Sequence, residues 1–374
     1  MTSPVISLPI ISADSHIMEP PDTYIGRIDK KYQDTAPRVV FDEKRGDIYL
    51  VPGMKDTIPM GLVAAAGKKP EELAAAAGPV KFEDLARGGW DPEARMADQD
   101  RDGIAAEVIY PSVGMVLCNH PDPDYKQACF DAYNLWIAEY CSGHPDRLIG
   151  LGQTAVRSPA AAIKDLERIK SMGLRGVMMS GFPVMEDYES PIYDELWDAA
   201  IELKMPLSFH ILTSRETLPG GGSTGRGPRL NGFMGIIRGN QDIIGLFILG
   251  AVFERHPKLK IVCVEADAGW APHFMYRMDH AFNRHRAWLK AGDISKMPSE
   301  YFRENVYMTF QDDWVAFQMK DLCNQRRLMW ANDFPHSDST WPWSQELLAK
   351  HTQGLTEQEK NWLLHDNVAE LYGI

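Results

Sequence analysis

Short apolar runs bounded by Gly, Pro or polar residues alternate with longer segments of helical period along most of the chain. The first run, Ile10-Ile11-Ser12-Ala13, passes directly into Asp14-Ser15-His16. From Trp90 onward the strand-like runs are Ile104 to Tyr110, Leu148 to Ala155, Gly176 to Met179, Leu207 to Ile211, Ile261 to Val264, Val306 to Phe310 and Leu328 to Ala331. Between them lie Pro123 to Ser142, Pro159 to Met172, Pro191 to Lys204, Asn240 to Arg255, Pro272 to Lys290 and Asp313 to Asn324, each long enough for a helix. Several of these open on a proline, whose missing N–H costs little in a first helical turn. Counting the opening strand, the pattern gives eight β/α units. That count predicts an α/β fold closed as a (β/α)8 TIM barrel rather than a doubly wound sheet.

Residues 17–92 interrupt the repeat. Val39-Val40-Phe41 and Asp47 to Val51 flank Glu43-Lys44-Arg45-Gly46, a hairpin signal, and the Ala-rich stretch from Met60 to Gly78 reads as a loose helix or flap. Neither piece buries a core alone. The expectation is one domain over residues 1–374, with 17–92 an insertion after strand one that covers the barrel mouth.

Composition narrows the partners. The chain has 374 residues, 44% of them hydrophobic, and a formal charge of −13, which argues against a nucleic-acid or anionic-membrane partner. Its densest basic run, Arg284 to Lys290, is too small to change that, and its longest apolar run, Ile243 to Phe253, is too short to span a bilayer. Five cysteines without CxxC spacing fit reduced, mostly buried thiols. A soluble, cytoplasmic protein acting on a small molecule is the expectation.

In a barrel, chemistry belongs at the C-terminal strand ends. Asp14 and His16, two positions apart, share a strand face there. His210 ends strand five and Asp333 ends strand eight. A lone histidine at a strand end usually packs, and a lone Asp before Phe-Pro usually forms a turn. Four ligand-type residues at one end of one barrel outweigh those readings.

The Asp14-Ser15-His16 opening, His210, Val264-Glu265-Ala266-Asp267-Ala268-Gly269-Trp270 and Ala331-Asn332-Asp333-Phe334-Pro335-His336 together resemble the amidohydrolase-related group that includes the aminocarboxymuconate-semialdehyde decarboxylase-like enzymes. The resemblance implies one divalent metal held by Asp14, His16, His210 and Asp333. Strand four offers no lysine and strand six no histidine, which supports one metal over two. The ligand set suits Zn²⁺ or Mn²⁺. With the basic stripe at His273, Arg277, His280 and Arg284 and the insertion, the resemblance also implies a homodimer.

One departure bears on function. The decarboxylases present a catalytic histidine after strand six, where this chain has Glu265-Ala266-Asp267. The sequence reading therefore favours a metal-dependent hydrolase of a small cyclic or aromatic carboxyl or carbonyl compound, with Asp333 moving a proton from an activated water. Non-oxidative decarboxylation is the first alternative, and a barrel that binds metal or ligand without catalysis is the second. His273 and His336 are the further acid/base candidates. Arg277, Glu265 and Trp341 are candidate substrate contacts, although strand alternation leaves the direction of Glu265 open. The glycine-rich stretch from Leu218 to Gly225 lacks a P-loop ending and reads as a lid.

Overall fold

The structure, a computed structural model, describes residues 6–55, 57–76, 78–214 and 229–374. Eight parallel strands form the barrel: Ile10–Ile17, Ile104–Pro111, Leu148–Gly150 continued by Gly152–Thr154, Val177–Met179, Leu207–His210, Ile261–Val264, Val306–Phe310 and Leu328–Trp330. Their residues are buried almost without exception. A strand covered on both faces has no solvent side, so its sequence reads as a continuous apolar run.

Strand three is the one expected run that divides. It pairs with strand two up to Gly150, and from Gly152 it pairs with strand four. Closure is made by strands one and eight, where Asp333 N–H donates to Asp14 O at 3.0 Å and His16 N–H to Phe334 O at 2.6 Å. The seam is reinforced from behind by Arg95, fully buried, which donates to Glu107 Oε2 at 2.6 Å, to His16 O at 2.6 Å and to Phe334 O at 3.3 Å. Both strand ends that form the seam are thus held by one guanidinium.

The outer helices follow their local signals. Asp91, Asp122 and Ser158 cap the helices Pro92–Asp102, Pro123–Cys141 and Pro159–Ser171 by accepting from first-turn N–H groups. Gly103, at φ 71°, ends the first of these in the left-handed conformation that glycine adopts without penalty, turning the chain into strand two. In Pro159–Ser171 the apolar Ala162, Leu166 and Ile169 face the barrel at helical spacing. The segment expected as one helix from Asn240 to Arg255 is two, Arg238–Leu249 and Val252–Arg255, because Gly250 and a left-handed Ala251 (φ 59°) break it. The segment opening at Pro191 divides into a tight turn, Pro191–Tyr193, and a helix, Asp194–Glu202, and the one expected to reach Lys290 stops at His285.

The insertion contains the expected hairpin, Arg38–Asp42 against Gly46–Leu50, extended by a short third strand, Ile58–Pro59. Two short helices, Met60–Val63 and Pro70–Ala76, occupy the Ala-rich stretch. The insertion's two ends meet where Met18 N–H donates to Gly89 O at 2.7 Å, and it contacts the loop after strand eight through Ala66 N–H, which donates to Pro335 O at 3.0 Å. All five cysteines are buried and unpaired. Among the described residues no helix is long and apolar enough to cross a membrane.

Candidate metal centre

At the C-terminal end of the barrel, side chains from four strands converge. Asp14 and His16 come from strand one, all eight residues of which are buried. His210 is the last residue of strand five. Glu265 follows strand six and Asp333 lies three residues past strand eight, and both have left-handed backbones, at φ 55° and 53°. A left-handed residue departs from strand alternation, so period-two reasoning does not assign its side chain to a face.

The donor atoms face one another. His16 Nε2 lies 3.1 Å from His210 Nε2, 3.5 Å from Asp14 Oδ1, 3.3 Å from Glu265 Oε2 and 3.6 Å from Asp333 Oδ1. His210 Nε2 lies 3.2 Å from Glu265 Oε2 and 3.6 Å from Asp14 Oδ1. Donors that share one ion at ~2.1 Å stand about 3.0–4.2 Å apart, depending on the angle between them, so these separations fit a ligand shell. The Nδ1 atoms of His16 and His210 face the carbonyls of Pro111 and Ile211 at 3.2 and 3.0 Å. Each Nδ1 therefore carries the proton, and each Nε2 presents a lone pair to the cluster.

Asp14 Oδ1, Glu265 Oε2 and both Asp333 oxygens are buried without a hydrogen-bond partner. Leaving several acceptors buried and unsatisfied is costly, and one cation at their common focus would satisfy them together. The residues fit a divalent metal ion, with Asp14, His16, His210, Glu265 and Asp333 the groups that would hold it.

Electrostatics agree. Burial disfavours a charged His210, yet the Asp14 and Glu265 carboxylates overcome it and push the imidazole up to about 10. Burial, with Glu265 and Asp14 beside it, raises Asp333 well above the usual carboxylate range. Three carboxylates this close demand positive charge, which protons supply when no metal does. His336 completes the group. Its Nδ1 lies 3.0 Å from Asp333 Oδ1 and its ring stacks on His16, centroids 3.9 Å apart. Glu265 and His336, at 15% and 13% exposure, are the two members that reach solvent.

The structure therefore brings Asp14, His16, His210, Asp333 and His336 together, and places His273, Arg277 and Trp341 elsewhere. Glu265, expected as a substrate contact, is part of the donor cluster. His273 and Arg277 lie on the exposed face of Ala271–His285, since the buried positions of that helix are Ala271, Met275 and Met278. Nothing in the described residues joins either to the centre. Trp341 packs on Phe334 at 5.2 Å, lies under the Arg101 guanidinium and donates to Asp98 O at 3.1 Å, so it walls a surface groove beside the insertion and makes no contact with the donors. The glycine-rich stretch from Leu218 to Gly225 lies outside the described residues.

Residues 16–374 match the amidohydrolase family model Amidohydro_2. The 2-amino-3-carboxymuconate-6-semialdehyde decarboxylase of Dictyostelium discoideum is 24% identical over 310 residues, 78% of this chain and 79% of its own length. An amidohydrolase structure from Mycobacterium avium subsp. paratuberculosis superposes with a TM-score of 0.79 at 19% identity, covering 99% of each chain. The 5-carboxyvanillate decarboxylase of Novosphingobium aromaticivorans, solved with manganese and 3-methoxy-4-hydroxy-5-nitrobenzoic acid, gives 0.70 at 19% identity over 98% of each chain. These two structural likenesses carry the barrel. With a family model matching from His16 to the last residue, on a closed barrel whose strand ends converge on a metal-type donor set, the chain belongs to the amidohydrolase family.

Proposed function

We propose that this protein is a metal-dependent, non-oxidative decarboxylase of a small aromatic or unsaturated carboxylic acid. The observation that carries this reading is the relative matched over 79% of its own length, a carboxymuconate-semialdehyde decarboxylase. The neighbour crystallised with manganese and a hydroxybenzoic acid supports the substrate class and the metal. Of the sequence readings, these findings favour the decarboxylase alternative over hydrolysis.

On this reading the strand-six departure has a counterpart elsewhere: Glu265 lies among the donors, and His336 offers an imidazole from the strand-eight loop, with Nδ1 3.0 Å from Asp333 Oδ1. A divalent ion such as Mn²⁺ or Zn²⁺ would be held by Asp14, His16, His210, Glu265 and Asp333, and would supply positive charge toward a substrate carboxylate. The chain's own work is to hold one proton between Asp333 and His336 and deliver it. The bond to the departing carboxylate breaks, CO₂ leaves, and the electron pair left on carbon takes the proton from His336. Solvent returns one proton to the pair, so each turnover consumes one proton.

The test is the product. With manganese-loaded protein and a panel of hydroxybenzoates and unsaturated dicarboxylates, the expected result is CO₂ in equal amount to a product carrying one carbon-bound deuteron from D₂O. Incorporation of ¹⁸O from labelled water into the organic product, without CO₂, would establish hydrolysis instead.

A further inference from the structure

Ser112, the residue that follows strand two, has its hydroxyl committed twice. Its Oγ donates to the carbonyl of Ile17 at 2.7 Å, an acceptor that has no proton to give. The same Oγ lies 2.8 Å from Nε2 of His336. With the hydroxyl proton already spent, Oγ accepts there, and Nε2 must be the protonated nitrogen. The remaining nitrogen, Nδ1, faces Asp333 Oδ1.

The serine is itself clamped. Glu19, fully buried, accepts from the backbone N–H groups of Ser112, Val113 and Gly114 at 3.3, 3.0 and 3.1 Å. Three N–H bonds onto one carboxylate fix the turn that carries Ser112. The stack on His16 sets the plane of the His336 ring, and Ser112 sets its direction within that plane. Turning the ring over would place carbon against both Ser112 and Asp333, losing both polar contacts.

We propose that Ser112, anchored by Glu19, is a positioning residue that fixes the tautomer of His336, so that Nδ1 is the nitrogen that exchanges a proton with Asp333 and the substrate carbon. The second half of that statement rests on the decarboxylase reading, and the first does not. Neither residue carries a motif, because each acts through a backbone turn or another side chain.

The experiment labels the histidine rings with ¹⁵N in the metal-loaded protein and reads the tautomer of His336 by two-bond proton–nitrogen correlation. The resonance is assigned by its loss in His336→Gln. Wild type and Ser112→Thr, which keeps the hydroxyl, are expected to show a single Nε2–H form. Ser112→Ala is expected to show the Nδ1–H form or an exchanging mixture, with metal content unchanged. If Ser112→Ala fails to fold, Ser112→Cys, whose sulfur is a weak acceptor, is expected to show the same change. An unchanged Nε2–H form in the alanine or cysteine variant overturns the proposal whatever the activity. On a substrate found by the product assay, the alanine variant is expected to lose about 10- to 100-fold in kcat with KM unchanged, and threonine to restore it. A tautomer change in a protein that releases no CO₂ from any substrate would sink the decarboxylase reading and leave the role of Ser112 standing.

Discussion

Nε2 of His16 and Nε2 of His210 stand 3.1 Å apart, each ring held from behind by a carbonyl at Nδ1. Two imidazole lone pairs aimed at one point repel unless a cation lies between them. Purified protein treated with chelator and reloaded with Mn²⁺ or Zn²⁺ is therefore expected to retain about one equivalent per chain, and to melt at a higher temperature when loaded. Elemental analysis and a thermal scan check both, and retention of only traces after reloading would count against the centre.

Glu265, read from sequence as a substrate contact, lies within the donor cluster, and the two roles are separable. As a donor, its replacement in Glu265→Gln should weaken metal retention against a competing chelator by at least about 10-fold. A mere substrate contact would leave retention unchanged and raise KM alone. The comparison needs only a chelator titration on the two proteins.

His336→Gln is expected to keep the metal and lose about 10²- to 10⁴-fold in kcat, the range for a proton-transfer group. His273→Ala and Arg277→Ala, on the exposed helix face, are expected to change kcat/KM by less than about 2-fold. A large loss in either of the last two would falsify the placement of the acid at His336.

Asp102 carries a pH signature of its own. It accepts from Ser344 N–H at 3.1 Å and Ser344 Oγ at 2.6 Å, and burial pushes it up from 3.8 to about 7. Between those values the folded protein holds a proton that the unfolded chain has released, so this group's contribution to stability falls as pH rises through the window. The loss amounts to about 4 kcal/mol at most. Urea midpoints for wild type should decline from pH 4 to 7 relative to Asp102→Asn, and parallel profiles would refute the assignment.

Arg95→Met strands Glu107 as a buried charge and removes the donor to His16 O, at an expected cost of about 3–5 kcal/mol. Adding Glu107→Gln should recover part of it, since no unpaired charge then remains. Chemical denaturation of the single and double variants measures the difference, and equal stability of the two would show that the charge is not the source.

Most of the barrel was legible because buried parallel strands are apolar throughout and because proline and the capping residues mark the helix starts. Asp14 and His16 were legible for the same local reason, two positions on one strand. Glu265 was not, because its backbone turns left-handed just past strand six and alternation then says nothing about its direction. The histidine at 273 and the arginine at 277 looked promising from their distance to a strand end, but helix periodicity turns them outward, away from the buried Met275 and Met278. Ser112 carried no signal at all, since its partners, Ile17, Glu19 and His336, come together only through the fold.

The seam between strands one and eight also sets a schedule for biosynthesis. Ser12 and Asn332, which hydrogen-bond across it, are 320 positions apart in the chain. At ribosomal rates of about 5–20 residues per second, strand one waits roughly 20–60 s for its last neighbour. Throughout that interval its apolar ladder has one open edge, the kind of surface that chaperones cover. A growing chain cannot assemble the metal site before Asp333 emerges, so prematurely terminated products should contain no tightly held metal.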